Sequence, residues 1–280
     1  MSFGPLFENR EGLKRLEAEG LGRVDSLDEI SPEQTVAIPV WGIPTEDLSA
    51  LRAQGLRILN TTCPRDSLSH NLAYRLAREG YGVIIVGRPG SPPAQSLLSR
   101  VEKGRQEQME TLGEGGAGRA FSGAVIDATQ GRDPDLRRIP EDVTHAAIVA
   151  QANVSLEAYQ AVVAKAATRF EEVRAYNTVC PSLAARFQEA CKLAESCSAM
   201  LIVGDPNIET DELAHLCSRG QTVDTFVVPS LDDLPQDLHE QHSTIGVVSS
   251  TSTPDWLLVS VVEELRRGAG ACVEEGPATG

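Results

Sequence analysis

Short apolar runs alternate with amphipathic stretches along most of the chain. The helical stretch SLSHNLAYRLAREG is followed by the strand-like run YGVIIVG, and LAARFQEACKLAESC is followed by AMLIVG. Strands that alternate with helices in this way predict parallel sheets with right-handed crossovers. Gly80 is placed to end the first helix just before its strand. The pattern predicts an α/β fold.

One motif occurs twice. Residues 57–64 read RILNTTCP and residues 174–181 read RAYNTVCP, and in each copy a Val-Gly strand end follows the cysteine at the same distance. A cysteine between a strand end and a helix N-terminus is a favourable position for a thiolate, because the helix dipole stabilises negative charge there. The repeat indicates a shared metal or redox centre, with Cys63 and Cys180 as its ligands.

A second module, a strand followed by a polar turn and a helix, occurs three times, at residues 35–52, 144–163 and 243–262. Because the cysteine motif occurs only twice, the N-terminal unit is expected to lack its cysteine strand. The predicted organisation is a truncated N-terminal lobe at 1–55, a second lobe at 56–172 with Cys63 and a long Gly-rich insertion at about 100–138, a third lobe at 173–268 with Cys180, and a tail at 269–280 that is expected to be frayed. Within the insertion, the stretch at 112–138 is expected to be a surface loop.

Composition narrows the function classes. The chain has 280 residues and a formal net charge of −15, which argues against nucleic-acid binding because a phosphate backbone requires a basic face. No apolar run approaches 18 residues and no leader is recognised, so we expect a cytoplasmic protein without a membrane segment. Six cysteines in a chain of this length do not indicate a disulfide scaffold. Those outside the repeat are expected to be core or partly exposed thiols.

Several short motifs, in their order along the chain, resemble those of the 4-hydroxy-3-methylbut-2-enyl diphosphate reductase (IspH/LytB) family, and the resemblance spans almost the whole chain. They are GPLFEN (4–9), LDEI (27–30), VWGIP (40–44), NTTCP (60–64), YNTVCP (176–181), IVGDPN (202–207) and STPDW (252–256). The resemblance implies three pseudo-symmetric α/β lobes around a central cavity. It also implies a [4Fe–4S] cluster held by one cysteine from each lobe, which passes electrons to an allylic diphosphate as its hydroxyl leaves as water.

The family's metal and substrate residues are only partly present here. Cys63 and Cys180 match two cluster cysteines, and the third is expected on a strand that would precede Met1. Of the diphosphate-binding positions only Ser252 is retained, and Arg88 could supply one positive charge. The remaining family positions are occupied by Glu8 and Asn9 for His-Asn, Trp41 for a histidine, Ser91-Pro92-Pro93 for His-Pro-Glu, Ala150-Gln151-Ala152-Asn153 for Thr-Gln-Thr-Thr, and Ile208-Glu209-Thr210 for Ser-Ser-Asn.

These substitutions leave two hypotheses. New carboxylates at Glu8 and Glu209 repel an anion as well as failing to bind it, so diphosphate binding is not expected. The first hypothesis is an accessory or non-catalytic family member, in a homo- or hetero-oligomer with an IspH-like or redox partner that carries an intact cluster. The alternative is an iron–sulfur oxidoreductase or dehydratase of a non-diphosphate substrate, which uses Cys63, Cys180 and a new third ligand. An inherited pair without metal is the equal alternative for Cys63 and Cys180, and core packing is the alternative for Trp41 and His70.

Overall fold

The computed structural model describes residues 1–112, 121–220 and 223–269. Strands and helices alternate through these segments, as the apolar pattern predicts. The strands are β1 (Ser2–Phe3), β2 (Arg23–Val24), β3 (Thr35–Ile38), β4 (Arg57–Asn60), β5 (Gly82–Val86), β6 (Gly123–Ile126), β7 (His145–Ala150), β8 (Glu172–Ala175), β9 (Ala199–Val203), β10 (Asp224–Val228) and β11 (Ile245–Ser249). The helices are α1 (Arg10–Ala18), α2 (Thr45–Ala53), α3 (Pro64–Arg78), α4 (Pro92–Leu112), α5 (Leu156–Ala167), α6 (Pro181–Ala194), α7 (Ile208–Ser218), α8 (Leu238–Gln241) and α9 (Asp255–Ala269).

The strands form three small sheets in which every pair is parallel, so the predicted α/β class with three parallel sheets is confirmed. Strand order is β2-β1-β3-β4 in the first sheet, β6-β5-β7-β8 in the second and β10-β9-β11 in the third. In each sheet the first strand in chain order lies between the second and the third, and in the first two sheets the fourth strand lies beside the third. Within the described residues, the third sheet has no strand at the position that β4 and β8 fill.

Strands β4 and β8, which lead into Cys63 and Cys180, are the edge strands of the first and second sheets. Ile38 of β3 pairs with Asn60 of β4, and Ile148 of β7 pairs with Ala175 of β8. The sequence-based boundary after residue 55 therefore falls between the paired strands β3 and β4, and the boundary after residue 172 falls within β8, directly after its first residue. The first sheet has all four strands, although β1 and β2 are only two residues long, and the strand without a counterpart belongs beside β11. Local sequence could not show this, because backbone pairing between distant segments is decided by the tertiary fold.

The chain divides into two compact units. One comprises Met1–Phe7 and Gly20–Cys180 and holds the first two sheets, and the other comprises Glu8–Glu19 and the described residues from Pro181 onward. The second unit thus combines α1 with the third sheet. Strands β5 and β9 are buried at all five positions and form the centres of the second and third sheets. No helix in the described segments is both long and apolar enough to cross a membrane.

The predicted Gly-rich insertion at about 100–138 contains regular structure, including part of the stretch at 112–138 that was expected to be a surface loop. Helix α4 continues to Leu112, and β6 pairs with β5. Val101 is fully buried, and a Cβ atom at Gly104 would collide with the carbonyl oxygen of Tyr74 in α3. The glycine therefore allows two helices to pack closely. The remainder of the Gly-rich stretch, at 113–120, lies outside the described residues, as does the predicted tail except for Ala269 at the end of α9.

Candidate functional site

The candidate residues all follow the carboxyl ends of strands, which is the edge where parallel α/β sheets usually bind ligands. One group follows the central strands β1, β5 and β9: Glu8, Asn9, Arg88, Ser91 and Glu209. A second group follows β3, β7 and β11, with Trp41, Asn153 and Ser252 each three residues beyond the last strand residue. Cys63 and Cys180 follow β4 and β8.

Cys63 and Cys180 are held in the same way. The backbone N–H of Cys63 donates to the carbonyl of Val40 at 2.7 Å, and that of Cys180 donates to Ala152 at 3.0 Å. Each acceptor lies two residues beyond the end of its strand. Both cysteines are free, partly exposed thiols followed by the proline that begins a helix. The repeated sequence motif therefore corresponds to a repeated backbone arrangement.

A threonine two residues before each cysteine supports this arrangement. The Thr178 hydroxyl donates to the carbonyl of Ala150, the last residue of β7, at 2.7 Å, and accepts from its N–H at 2.8 Å. The Thr61 hydroxyl likewise donates to the carbonyl of Ile38, the last residue of β3. The sequence interpretation did not select these threonines, although they recur at one position of the repeat.

Arg65 connects the two cysteine loops of the first unit. Its Nη2 donates to the carbonyl of Val179 at 2.8 Å, so the residue two positions after Cys63 contacts the residue just before Cys180. Arg65 was not identified from the sequence, because nothing local to it indicates a partner more than a hundred positions away.

The described residues do not suffice for a [4Fe–4S] cluster. The resemblance implies a cluster held by three cysteine thiolates, of which Cys63 and Cys180 would supply two. Among the residues that the structure describes, no three or more His, Cys, Asp or Glu side chains form a group that could hold a metal ion. The third sheet has no described strand that could bring a further cysteine to the equivalent position. The donor set present therefore does not fit the cluster.

Arg88 and Ser91 belong to a hydrogen-bonded loop in the first unit. Gln151, after β7, accepts from the backbone N–H of Arg88 at 2.8 Å and donates to the Ser91 hydroxyl at 3.1 Å. Any Cβ atom at Gly87 would collide with Gln151, so only glycine permits this approach. The Ser91 hydroxyl also donates to the Arg88 carbonyl at 2.8 Å. Ser91 is therefore already engaged in holding its own loop.

Trp41 is buried, as expected for a packing residue. Next to it, Gly42 has a φ of 76°, and a Cβ there would lie 2.7 Å from the ring of His70. His70 is buried with Nε2 3.2 Å from the Ser96 hydroxyl, and burial, with a smaller effect from Arg100, lowers its pKa to about 4. His70 is therefore a neutral packed side chain, as the sequence interpretation anticipated. At the position equivalent to Trp41, Asn153 has a buried Oδ1 that accepts no hydrogen bond within the described structure.

In the second unit, the segment before α1 meets the loop after β11. The Ser252 hydroxyl donates to the carbonyl of Glu8 at 3.0 Å. Asn9 is fully buried and caps α1 by accepting from the N–H of Gly12 at 2.8 Å. Its Nδ2 atom is buried and has no hydrogen-bond partner in the described chain. Three of the predicted site residues are thus brought together here.

Glu209 lies in the first turn of α7 with only 3% of its surface exposed. Its carboxylate accepts the backbone N–H of Thr251 at 2.7 Å and the Thr251 hydroxyl at 2.6 Å. Burial raises the pKa of Glu209, while the two Thr251 bonds and the charge of Arg186 oppose that shift. Thr251 and Arg186 were not singled out from the sequence, because their role depends on contacts with distant segments.

Two further contacts complete this part of the second unit. Arg186 Nη1 donates to the carbonyl of Ser249, the last residue of β11, at 2.7 Å. Asp205 accepts from the backbone N–H of Arg10 at 2.6 Å and forms an ion pair with its side chain. The family-like motif IVGDPN contains Asp205, but its partner at the start of α1 lies almost two hundred positions away.

Comparison with known proteins gives this arrangement a family. The model of the family described as "LytB protein" matches residues 1–266. A 4-hydroxy-3-methylbut-2-enyl diphosphate reductase of Sulfurovum sp. is 26% identical over 265 residues, covering 94% of this chain and 88% of that protein. The enzyme of the same name from Aquifex aeolicus is 28% identical over 268 residues, covering 95% and 84%.

Solved structures of similar proteins point to the same family. A structure of (E)-4-hydroxy-3-methyl-but-2-enyl diphosphate reductase is 27% identical and superimposes with a TM-score of 0.63, covering 95% of this chain and 87% of that one. A Plasmodium falciparum reductase structure, 17% identical, has a TM-score of 0.77 with coverage of 93% and 76%, and shows the likeness of fold. The resemblance indicated by the short motifs is confirmed, and the chain belongs to the IspH/LytB protein family.

Proposed function

We propose that this chain is a LytB-family protein that does not by itself reduce 4-hydroxy-3-methylbut-2-enyl diphosphate. It acts as a cytoplasmic accessory subunit in a homo- or hetero-oligomer, beside an iron–sulfur or redox partner. The proposal concerns this chain alone, since its relatives are named as reductases and are similar to it at modest identity.

One observation carries the proposal: the sheets contain four, four and three described strands. In the first and second sheets, the fourth strand leads into a cysteine. The third sheet has no fourth strand among the described residues, and so no cysteine at that position. Two thiolates cannot hold a [4Fe–4S] cluster of the three-cysteine type. Without the cluster, the two electrons that reductive removal of a hydroxyl group requires have no route to a substrate.

The anion-binding capacity supports the same conclusion. A diphosphate in a closed site needs several hydrogen-bond donors or cations to offset its charge. In this chain Glu209 occupies the donors of Thr251, and Ser91 is engaged with Arg88 and Gln151. Ser252, the one retained position, donates to Glu8.

The decisive experiment is iron and sulfide analysis with electron paramagnetic resonance on anaerobically purified protein. We expect no stoichiometric [4Fe–4S] signal from the chain alone and no turnover of the diphosphate substrate. A stable cluster with turnover would contradict the proposal. We also expect the gene to fail to restore growth of cells that lack the family reductase, and rescue of such cells would contradict it independently.

The second candidate function is an iron–sulfur oxidoreductase or dehydratase acting on a non-diphosphate substrate. It is favoured by the matching backbone hydrogen bonds that hold Cys63 and Cys180. It needs a third ligand from outside the described residues. Iron that co-purifies with the wild type, is lost in Cys63→Ser and is retained in Cys197→Ser would favour this function. Cys197 is a suitable control because it is also a partly exposed free thiol.

A further inference from the structure

We propose that Glu209 is the residue that determines ligand specificity in the second unit. Its carboxylate is an internal anion that occupies the hydrogen-bond donors at the carboxyl edge of the third sheet, so that phosphate-bearing ligands are excluded. This inference rests on the proposed function, which it deepens by naming the class of ligand that the site rejects and the residue responsible.

The geometry of the contact carries the argument. Two donors of a single residue, the N–H and the hydroxyl of Thr251, point at one carboxylate at 2.7 and 2.6 Å. Paired backbone and hydroxyl donors beside a helix N-terminus are the groups that bind phosphate oxygens in proteins. Glu209, in the first turn of α7, therefore satisfies donors that an external anion would otherwise use.

A second carboxylate plays a similar part nearby in the same unit. Asp205 follows β9 and accepts the N–H of Arg10, the first residue of α1, at 2.6 Å. Each of these acids thus neutralises a backbone donor at the carboxyl edge of the third sheet. An external phosphate would have to displace them and would be repelled by their charge.

Two features show that the site is polar beyond the Glu209 contact itself. Asn9 is fully buried, and its Nδ2 has no partner among the described residues. The carbonyl of Glu8, which precedes Asn9, accepts a hydrogen bond from Ser252, which follows Thr251. Arg186 lies close enough for its charge to act on Glu209, but it donates to the carbonyl and hydroxyl of Ser249. Without the Glu209 carboxylate, both donors of Thr251 would lose their acceptor, and the charge of Arg186 would still act at that position. That set favours an anion.

The test is binding of inorganic pyrophosphate to metal-free full-length protein, measured by isothermal titration calorimetry. Glu209→Ser and Glu209→Gln remove the charge, Glu209→Asp keeps it, and Glu189→Gln removes one exposed negative charge elsewhere in the same unit. We expect Glu209→Ser and Glu209→Gln to bind pyrophosphate at least tenfold more tightly than the wild type. Glu209→Asp and Glu189→Gln should behave like the wild type.

Three outcomes would overturn the inference. The wild type could bind pyrophosphate within threefold of Glu209→Ser, Glu189→Gln could gain affinity equally, or both neutral Glu209 variants could fail to bind while retaining a wild-type circular dichroism spectrum and cooperative thermal unfolding. Because pyrophosphate binding is measured without iron, its outcome is independent of the cluster and turnover measurements that test the proposed function. A chain that assembled a cluster yet gained pyrophosphate affinity only on loss of Glu209 would contradict the proposed function and leave the role of Glu209 intact.

Discussion

At the scale of single residues, the three sheets differ in the side chain that donates a hydrogen bond to the last carbonyl of one strand. The carbonyl of the last residue of each of β3, β7 and β11 accepts a hydrogen bond from a side chain. Thr61 and Thr178 donate to Ile38 and Ala150, whereas the guanidinium of Arg186 donates to Ser249. A buried carbonyl without a donor is costly. Arg186 therefore supplies, at the third sheet, the hydrogen bond that the cysteine motif supplies at the other two.

Thr178 offers a direct test of what this hydroxyl contributes. It is buried and bonds both the N–H and the carbonyl of Ala150. We expect Thr178→Ala to lower the free energy of unfolding by about 1–3 kcal/mol, because it leaves two buried backbone groups unpaired. Thr178→Ser keeps the hydroxyl and should recover most of the loss. Urea denaturation measures both, and equal losses in the two variants would show that the methyl group rather than the hydroxyl matters.

His70 predicts a pH dependence. Its pKa in the folded protein is about 4, below the ordinary value of 6.5, because of burial and the nearby charge of Arg100. Between those values the unfolded chain binds a proton that the folded chain does not, so stability falls as pH drops from about 6.5 to about 4. The loss attributable to His70 amounts to about 3 kcal/mol.

Urea denaturation at pH 7 and at pH 4 checks the effect by comparing the wild type with His70→Gln. The variant, which cannot titrate, should lose about 3 kcal/mol less than the wild type over this interval. His239→Gln, at an exposed histidine, is the matched control and should follow the wild type. An equal pH dependence in the wild type and His70→Gln would contradict the assignment.

At the scale of elements, the close packing of α3 against α4 depends on a glycine at the contact. Gly104 lies in the interior of α4, where glycine is normally unfavourable by about 1 kcal/mol relative to alanine. It is tolerated here because the backbone of α3 at Tyr74 occupies the space that a side chain would take. Tertiary contact thus overrides helix propensity.

Gly104→Ala should therefore destabilise the protein, although alanine is the better helix former. We expect a loss of about 1–3 kcal/mol, since the added methyl group meets backbone rather than a flexible side chain. Lys103→Ala, at the exposed neighbouring position of α4, serves as the control and should change stability by less than about 0.5 kcal/mol. Thermal or urea unfolding decides the matter, and a stabilised Gly104→Ala would contradict the close packing.

At the scale of the whole molecule, charge constrains the partners. With Lys and Arg numbering 25 against 40 Asp and Glu, the chain repels polyanions. We expect no retardation of a short DNA duplex in a native gel at about 50 mM salt, where non-specific binding through counterion release would be strongest. A basic DNA-binding protein run alongside provides the control. Retardation that weakens with added salt would contradict this prediction.

The alternation of apolar and polar positions determined much of the fold. The strand–turn–helix modules, the cysteine repeat and Gly80, which follows α3 with a φ of 95°, all lie where local periodicity and turn chemistry place them. The short motifs were sufficient for family membership. They also placed the candidate residues at strand ends, because those ends are marked by local sequence.

Only the tertiary structure decided which segments pair and which polar groups meet. Sheet membership of β4 and β8 depends on pairing between segments far apart in sequence, and so does the place beside β11 where the described residues supply no strand. The contact of Glu209 with Thr251, and of Arg186 with Ser249, likewise joins residues separated by dozens of positions. Local sequence specifies the secondary structure and chemical character of a segment, whereas burial and hydrogen bonding depend on neighbours that only the folded chain brings together.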